Sequence, residues 1–283
     1  MEWRKIMLAF GFHRVEQFTG LEITRLSPLR FSRIIDLIED SQLPVLPPES
    51  AIGRQGILLT FDDGFASVSE SALPILAARG AKAMIFLVAG SVGRSDQWDI
   101  RLLGSARPMM NWAQVRYWSE RGMVFGSHTL THADLTVLSP KALREELVVS
   151  RYMIEDRIGR PVTTLSYPFG RHNRRVRDAA MEAGYTSAFA TFGTDPSVGR
   201  FELGRVLVNS LMSLLEIRSC LESYRRGGVL NEHWRGHWRN RFLSSLSAGS
   251  ATVSSWRRCV SGSGTTRPQF DHEQIVPLSS RWR

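Results

Sequence analysis

Residues 57–64 read Ile57-Leu58-Leu59-Thr60-Phe61-Asp62-Asp63-Gly64. Five apolar or β-favouring residues in a row suit a strand buried on both faces, which is how parallel strands look in sequence. The run ends in two carboxylates and a glycine, so the strand is followed by a polar turn. Outward from it the texture repeats. A helix runs through Leu73, Leu76 and Ala77 to a stop at Gly80, and Ala83 to Val88 is the next buried strand. Asn111 caps a helix to Arg121, and Val124-Phe125-Gly126 is a short strand. Ser139-Pro140 opens a long helix that ends at Gly159 with Pro161 beyond. Thr164 to Tyr167 is a strand, Arg174 to Ala183 a helix, and Thr186 to Ala190 a strand. Upstream, Ser27-Pro28 reads as an N-cap and first-turn proline, with Phe31, Ile34, Ile35 and Ile38 at helical spacing behind it. Residues 191–212 are looser, and Leu214 to Arg226 is a last helix. The fold class is therefore α/β: parallel strands with outer helices, in an open sheet or a barrel. In either, chemistry belongs at the C-terminal ends of the strands.

The chain has 283 residues, 43% hydrophobic and 22% charged, which is ample for a core and excludes a disordered or disulfide-stapled chain. Two cysteines exclude a Cys-based zinc site. The formal charge of +9 is localised. Residues 225–283 hold ten Arg against Glu232, Asp271 and Glu273, so the body is nearly neutral and offers no nucleic-acid face. Residues 1–228 are expected to form the catalytic domain. Residues 229–283 are a basic extension rich in Ser, Arg and Trp, expected to be poorly ordered. Its composition would also suit weak contact with a membrane surface. No apolar stretch reaches membrane-spanning length and no export signal is evident, so the expected location is the cytoplasm, up to the inner membrane face.

Three polar segments fall at expected strand ends. Adjacent carboxylates such as Asp62 and Asp63 repel each other, and a cation bound to one relieves this and leaves the other free as a base. His128 and His132 stand four apart in Ser127-His128-Thr129-Leu130-Thr131-His132, on one face if the segment is a helical turn. Two imidazoles and a carboxylate leave open positions on an ion, as hydrolysis requires. Tyr167-Pro168-Phe169-Gly170 turns sharply, and a backbone N–H there could face an oxyanion. Taken singly, each is an ordinary loop. His233 and His237 repeat the four-residue spacing without a strand or carboxylate beside them and receive no metal role.

Taken together and in order, these segments resemble the polysaccharide deacetylase family (the chitooligosaccharide-deacetylase homology domain, carbohydrate esterase family four). Residues 60–64, 127–132 and 167–170 resemble its first three motifs, and Phe12-His13-Arg14-Val15 is similar to the end of its first strand. The resemblance covers roughly residues 7–215. It implies a distorted (β/α) barrel with fewer than eight repeats. It implies Asp62 as general base, and Asp63, His128 and His132 as ligands of a divalent metal, usually Zn²⁺. It implies the Phe169 N–H at the oxyanion. The activity implied is removal of N-acetyl groups from N-acetylhexosamine residues of a glycan, with release of acetate.

The chain departs from the family pattern in three places. Ser166 stands where an Arg often orients the catalytic Asp, and no Arg is closer upstream than Arg160. Asn209 stands where a His would supply the general acid. An Asp-x-x-Asp-Trp loop is missing. His172 is a candidate acid, with a solvent-facing loop residue as the plainer reading. His13 reads as a packed or surface residue. Two alternatives therefore stand beside the deacetylase: hydrolysis of another C–N bond at the same metal site, and a glycan-binding module that has lost turnover.

Overall fold

A computed structural model of the chain describes residues 7–17, 23–96, 107–191 and 196–227. The 229–283 extension, with His233 and His237, lies outside the described residues. In chain order the strands are β1 (Leu8–Phe12), β2 (Arg14–Val15), β3 (Arg25–Leu26), β4 (Ile57–Phe61), β5 (Met84–Leu87), β6 (Val124–Ser127), β7 (Thr164–Ser166), β8 (Ser187–Phe189) and β9 (Val206–Leu207). The α-helices are α1 (Pro28–Asp40), α2 (Leu73–Ala77), α3 (Trp112–Glu120), α4 (Pro140–Ile158), α5 (Arg174–Glu182) and α6 (Leu214–Gly227). Seven strands form one parallel sheet in the order β8-β7-β6-β5-β4-β1-β9, and β2 pairs only with β3.

The sheet is curled almost into a barrel. Its edges, β8 and β9, are tied through one passing segment. Leu203 donates to the Ala188 carbonyl at 3.0 Å and accepts from Ala190 at 2.8 Å; three residues later Val206 pairs with Phe10 of β1. This bears out the expected distorted barrel. Each strand of β1, β4 and β5 is buried along its whole length. The two-residue period divides them between two cores. Leu8, Phe10, Phe12, Ile57, Leu59, Phe61, Ile85 and Leu87 pack with the helices, where Phe12, Phe31 and Phe61 meet at 5.2–5.8 Å. Met7, Ala9, Leu58, Met84, Phe86 and Phe189 pack on the opposite face.

The expected caps form. Ser27 accepts from the Arg30 N–H, and Asn111 and Gln114 make a reciprocal capping box. Ser139 accepts from the Ala142 N–H, and Gly159 closes α4 at φ 65°. Register then lines up the strand ends. Phe12 pairs with Phe61, Leu87 with Ser127, and Ser166 with Phe189. The residues that follow these ends are His13, Asp62, His128 and Tyr167, so segments far apart in sequence arrive at one rim. No helix among the described residues is long and apolar enough to cross a membrane.

Candidate metal centre and its flanking acid

Asp62 and Asp63 leave β4 together and part immediately. Asp63 takes a left-handed backbone conformation, φ 70°, and Gly64 follows at φ 81°. That turn swings the Asp63 carboxylate toward the histidines. Its Oδ1 lies 3.5 Å from His128 Nε2 and 3.4 Å from His132 Nε2. One ligand atom from each of the three residues falls within 4.8 Å of the others, and all three residues are buried. Ligands on a tetrahedral zinc, with bonds of about 2.0 Å, sit about 3.3 Å apart. The donor set therefore fits a divalent ion.

Protonation agrees with ligation. Burial, opposed by Asp62, keeps His128 below the usual imidazole range, and burial and the neighbouring His128 keep His132 well below it. Both present neutral nitrogens. His128 Nδ1 lies 2.7 Å from the Ser166 carbonyl, which can only accept, so Nδ1 carries the proton and the Nε2 lone pair faces the centre.

The histidine segment is not the helical turn its spacing suggested. Thr129 and His132 are left-handed, at φ 70° and 62°, and the chain between them is an irregular loop. Of the five non-glycine residues with positive φ among the described residues, four are Asp63, Thr129, His132 and Phe169. Backbone strain thus gathers at this rim.

Asp62 points elsewhere. It accepts a two-pronged contact from Arg205, with both N–O distances 2.7 Å. The same guanidinium donates to Thr60 Oγ1 at 3.2 Å and Ser166 Oγ at 2.9 Å, and lies 5.6 and 5.5 Å from the ring centroids of Phe86 and Phe189. Burial pushes the Asp62 carboxyl up. The Arg205 charge, with His128 and the hydrogen bonds, outweighs this and holds it well below the usual carboxylate range. Arg205 comes from the segment that closes the sheet, within residues 191–212 where the sequence carries no clear period. A pair 143 residues apart has no local signature. The available hint was indirect: an absent Arg at 166, and an Arg just before Val206-Leu207-Val208.

Two further imidazoles have defined surroundings. His13, read as packed or surface, lies beside Asp62, Arg205 and His128. Burial, opposed by Asp62, lowers its pKa to about 4. The pairing of Phe12 with Phe61 is the cause, because it sets His13 level with Asp62. His172, the sequence's candidate acid, is neither solvent-facing nor in the cluster. It is largely buried, bonds Glu202 at 2.9 Å and stacks on Tyr167 at 4.8 Å. Phe169 stands at the mouth, half-exposed at φ 58°, with its ring 4.7 Å from that of His132.

A parallel α/β sheet with a carboxylate and two imidazoles at its strand ends, and a separately held acid beside them, has the outline of a metallohydrolase. Residues 50–188, just under half of the chain, match the polysaccharide deacetylase family model. Among curated proteins it is 28% identical over 171 residues to YxkH of Bacillus subtilis, covering 60% of this chain and 57% of that protein. It is also 28% identical over 138 residues to the peptidoglycan-N-acetylglucosamine deacetylase PgdA of Listeria monocytogenes, covering 48% of this chain and 26% of that one. The match therefore spans little more than half of the first relative and about a quarter of the second. Among solved structures, the Streptococcus pyogenes deacetylase PplD in complex with acetate shares the fold, at a TM-score of 0.65 and 21% identity, over 75% of this chain and 96% of that one.

Proposed function

We propose that this chain is a metal-dependent de-N-acetylase that hydrolyses the acetamide of N-acetylhexosamine residues in a glycan, giving acetate and a free amino sugar. The observation that carries the reading is the close triangle of Asp63, His128 and His132 beside an Asp62 held by a different partner. Asp63 and the two imidazoles would hold the ion, and a nitrogen-rich set with one carboxylate favours Zn²⁺. When bound, such an ion polarises a carbonyl and acidifies water.

The protein's own groups do the rest. Asp62, ionised and fixed by Arg205, takes the proton from the attacking water. The new bond joins the water oxygen to the acetamide carbon, and the C–N bond then breaks. The Phe169 N–H, on a turn where Gly170 is also left-handed, is the donor assigned to the developing oxyanion. The departing amine needs a proton. His13, neutral at rest and within electrostatic reach of Asp62, is the group we assign to relay to it the proton that Asp62 has taken from water. The glycan-binding alternative was motivated by a missing Arg and a missing acid. Arg205 and His13 offer candidates for both, and this favours turnover.

The test is acetate release from N-acetylated oligosaccharides by the zinc-loaded chain. Asp62→Asn should retain zinc and lose activity by about 10²–10⁴-fold, whereas His128→Ala and Asp63→Ala should lose zinc. Undiminished turnover in Asp62→Asn would remove it as the base. C–N cleavage without acetate would favour another amide-like substrate.

A further inference from the structure

His128 and His132 are not placed by helical geometry, so something else must bend the loop that carries them. The bend forms around Glu146. This buried residue on α4 accepts the backbone N–H groups of Leu130 and Thr131 on Oε2, both at 2.9 Å, and the Thr131 hydroxyl on Oε1 at 2.5 Å. Ser150 stands one turn further along α4, on the same face. It bonds Ser127 Oγ at 2.9 Å, and Ser127 in turn accepts the Thr129 N–H at 3.1 Å. Thr129 Oγ1 then accepts the His132 N–H at 3.1 Å. One helix face thus grips the segment at both ends, and every residue between the two imidazoles has its N–H engaged.

We infer that Glu146 is a positioning residue for the metal centre: its carboxylate is the template on which the 128–132 loop closes, bringing the two histidine nitrogens to ligand spacing against Asp63. It touches neither metal nor substrate. The inference rests on the metal reading of Asp63, His128 and His132. The role is one of shape. The two N–H groups are held by a single oxygen at a fixed reach, and without it they would be left unpaired in a buried loop.

Shape and charge make opposite predictions, and two conservative variants separate them. Glu146→Gln keeps the reach: its oxygen can accept both N–H groups and its amide can donate to Thr131 Oγ1. Glu146→Asp keeps the charge but is one carbon shorter, about 1.5 Å. Zinc affinity of the full chain is measured by competition with a chromophoric chelator, with far-UV circular dichroism as the control for folding. Glu146→Asp and Glu146→Ala should weaken zinc binding by about 10–100-fold, and Glu146→Gln should stay well short of that loss. If Glu146→Ala does not fold, the Gln and Asp pair alone decides. If Asp retains full affinity, or Gln loses as much as Asp, the assignment of Glu146 is overturned while zinc loss in Asp63→Ala and His128→Ala still supports the metal centre. If those ligand variants keep their zinc, the centre itself falls and this inference with it.

Discussion

At the scale of single residues, the Asp62–Arg205 pair decides most. Both side chains are almost fully buried, and the guanidinium fork matches the carboxylate at both oxygens. Such a pair adds little net stability compared with an apolar pair, but removing one partner strands a charge. Arg205→Met should therefore destabilise the protein by about 3–5 kcal/mol, read as a fall in the urea midpoint. Combining it with Asp62→Asn should cost clearly less than the two single changes added together. Simple additivity would mean the residues do not act as a pair. Arg205→Lys keeps the charge and loses the fork, so it should fold yet lose turnover with zinc affinity unchanged. The sequence showed where this arrangement was needed: Ser166 stands where an Arg was expected. It could not show where the replacement comes from. Ser166 itself is reused, with its hydroxyl on Arg205 and its carbonyl on His128.

At the scale of elements, strands and caps were legible because their causes are local. Ser27, Asn111 and Ser139 cap as their residue types require, and the apolar run at 57–61 is buried throughout. β9 was not legible. Two residues carry no period, and their pairing with Phe10 and Gly11 is long-range. The 128–132 loop escaped for the opposite reason: four-residue spacing is a local signal, and a carboxylate from α4 overrides it. Close packing between strands gives a prediction here. A Cβ on Gly126 of β6 would stand 2.6 Å from the Phe86 ring and 2.9 Å from the Thr164 carbonyl. Gly126→Ala should force β5 and β7 apart and destabilise by about 1–3 kcal/mol, measured by thermal melting. Because His128 follows two residues later, zinc affinity should fall as well, and an unchanged melting temperature would refute the close contact.

At the scale of the whole molecule, the curled sheet collects three imidazoles at one rim, and their shared direction sets how the metal-free protein responds to acid. His13, His128 and His132 all have lowered pKa values, with burial as the leading cause. Asp62 draws His13 and His128 the other way, while Arg205 and Arg14 reinforce the lowering of His13. A histidine with a depressed folded-state pKa binds fewer protons folded than unfolded. Stability is then complete above the unfolded value of about 6.5 and declines as pH falls below it. For His13 the decline runs from about 6.5 to about 4, with a slope of up to about 1.4 kcal/mol per pH unit for one group. Asp62 continues the trend lower down, because the stability from its depressed pKa is complete above the unfolded carboxylate value of about 3.9 and is lost progressively as pH falls below it. Urea midpoints of the metal-free chain should therefore drop steadily between pH 7 and pH 4.5. His13→Gln, which cannot titrate, should flatten that slope by up to one group's worth. Zinc should hold the midpoint up across the upper part of the range, since ligation requires the same neutral nitrogens, and should lose this effect as protons compete for them. A midpoint that stays level from pH 7 to 4.5 in the metal-free protein would show that the rim imidazoles are solvated rather than buried.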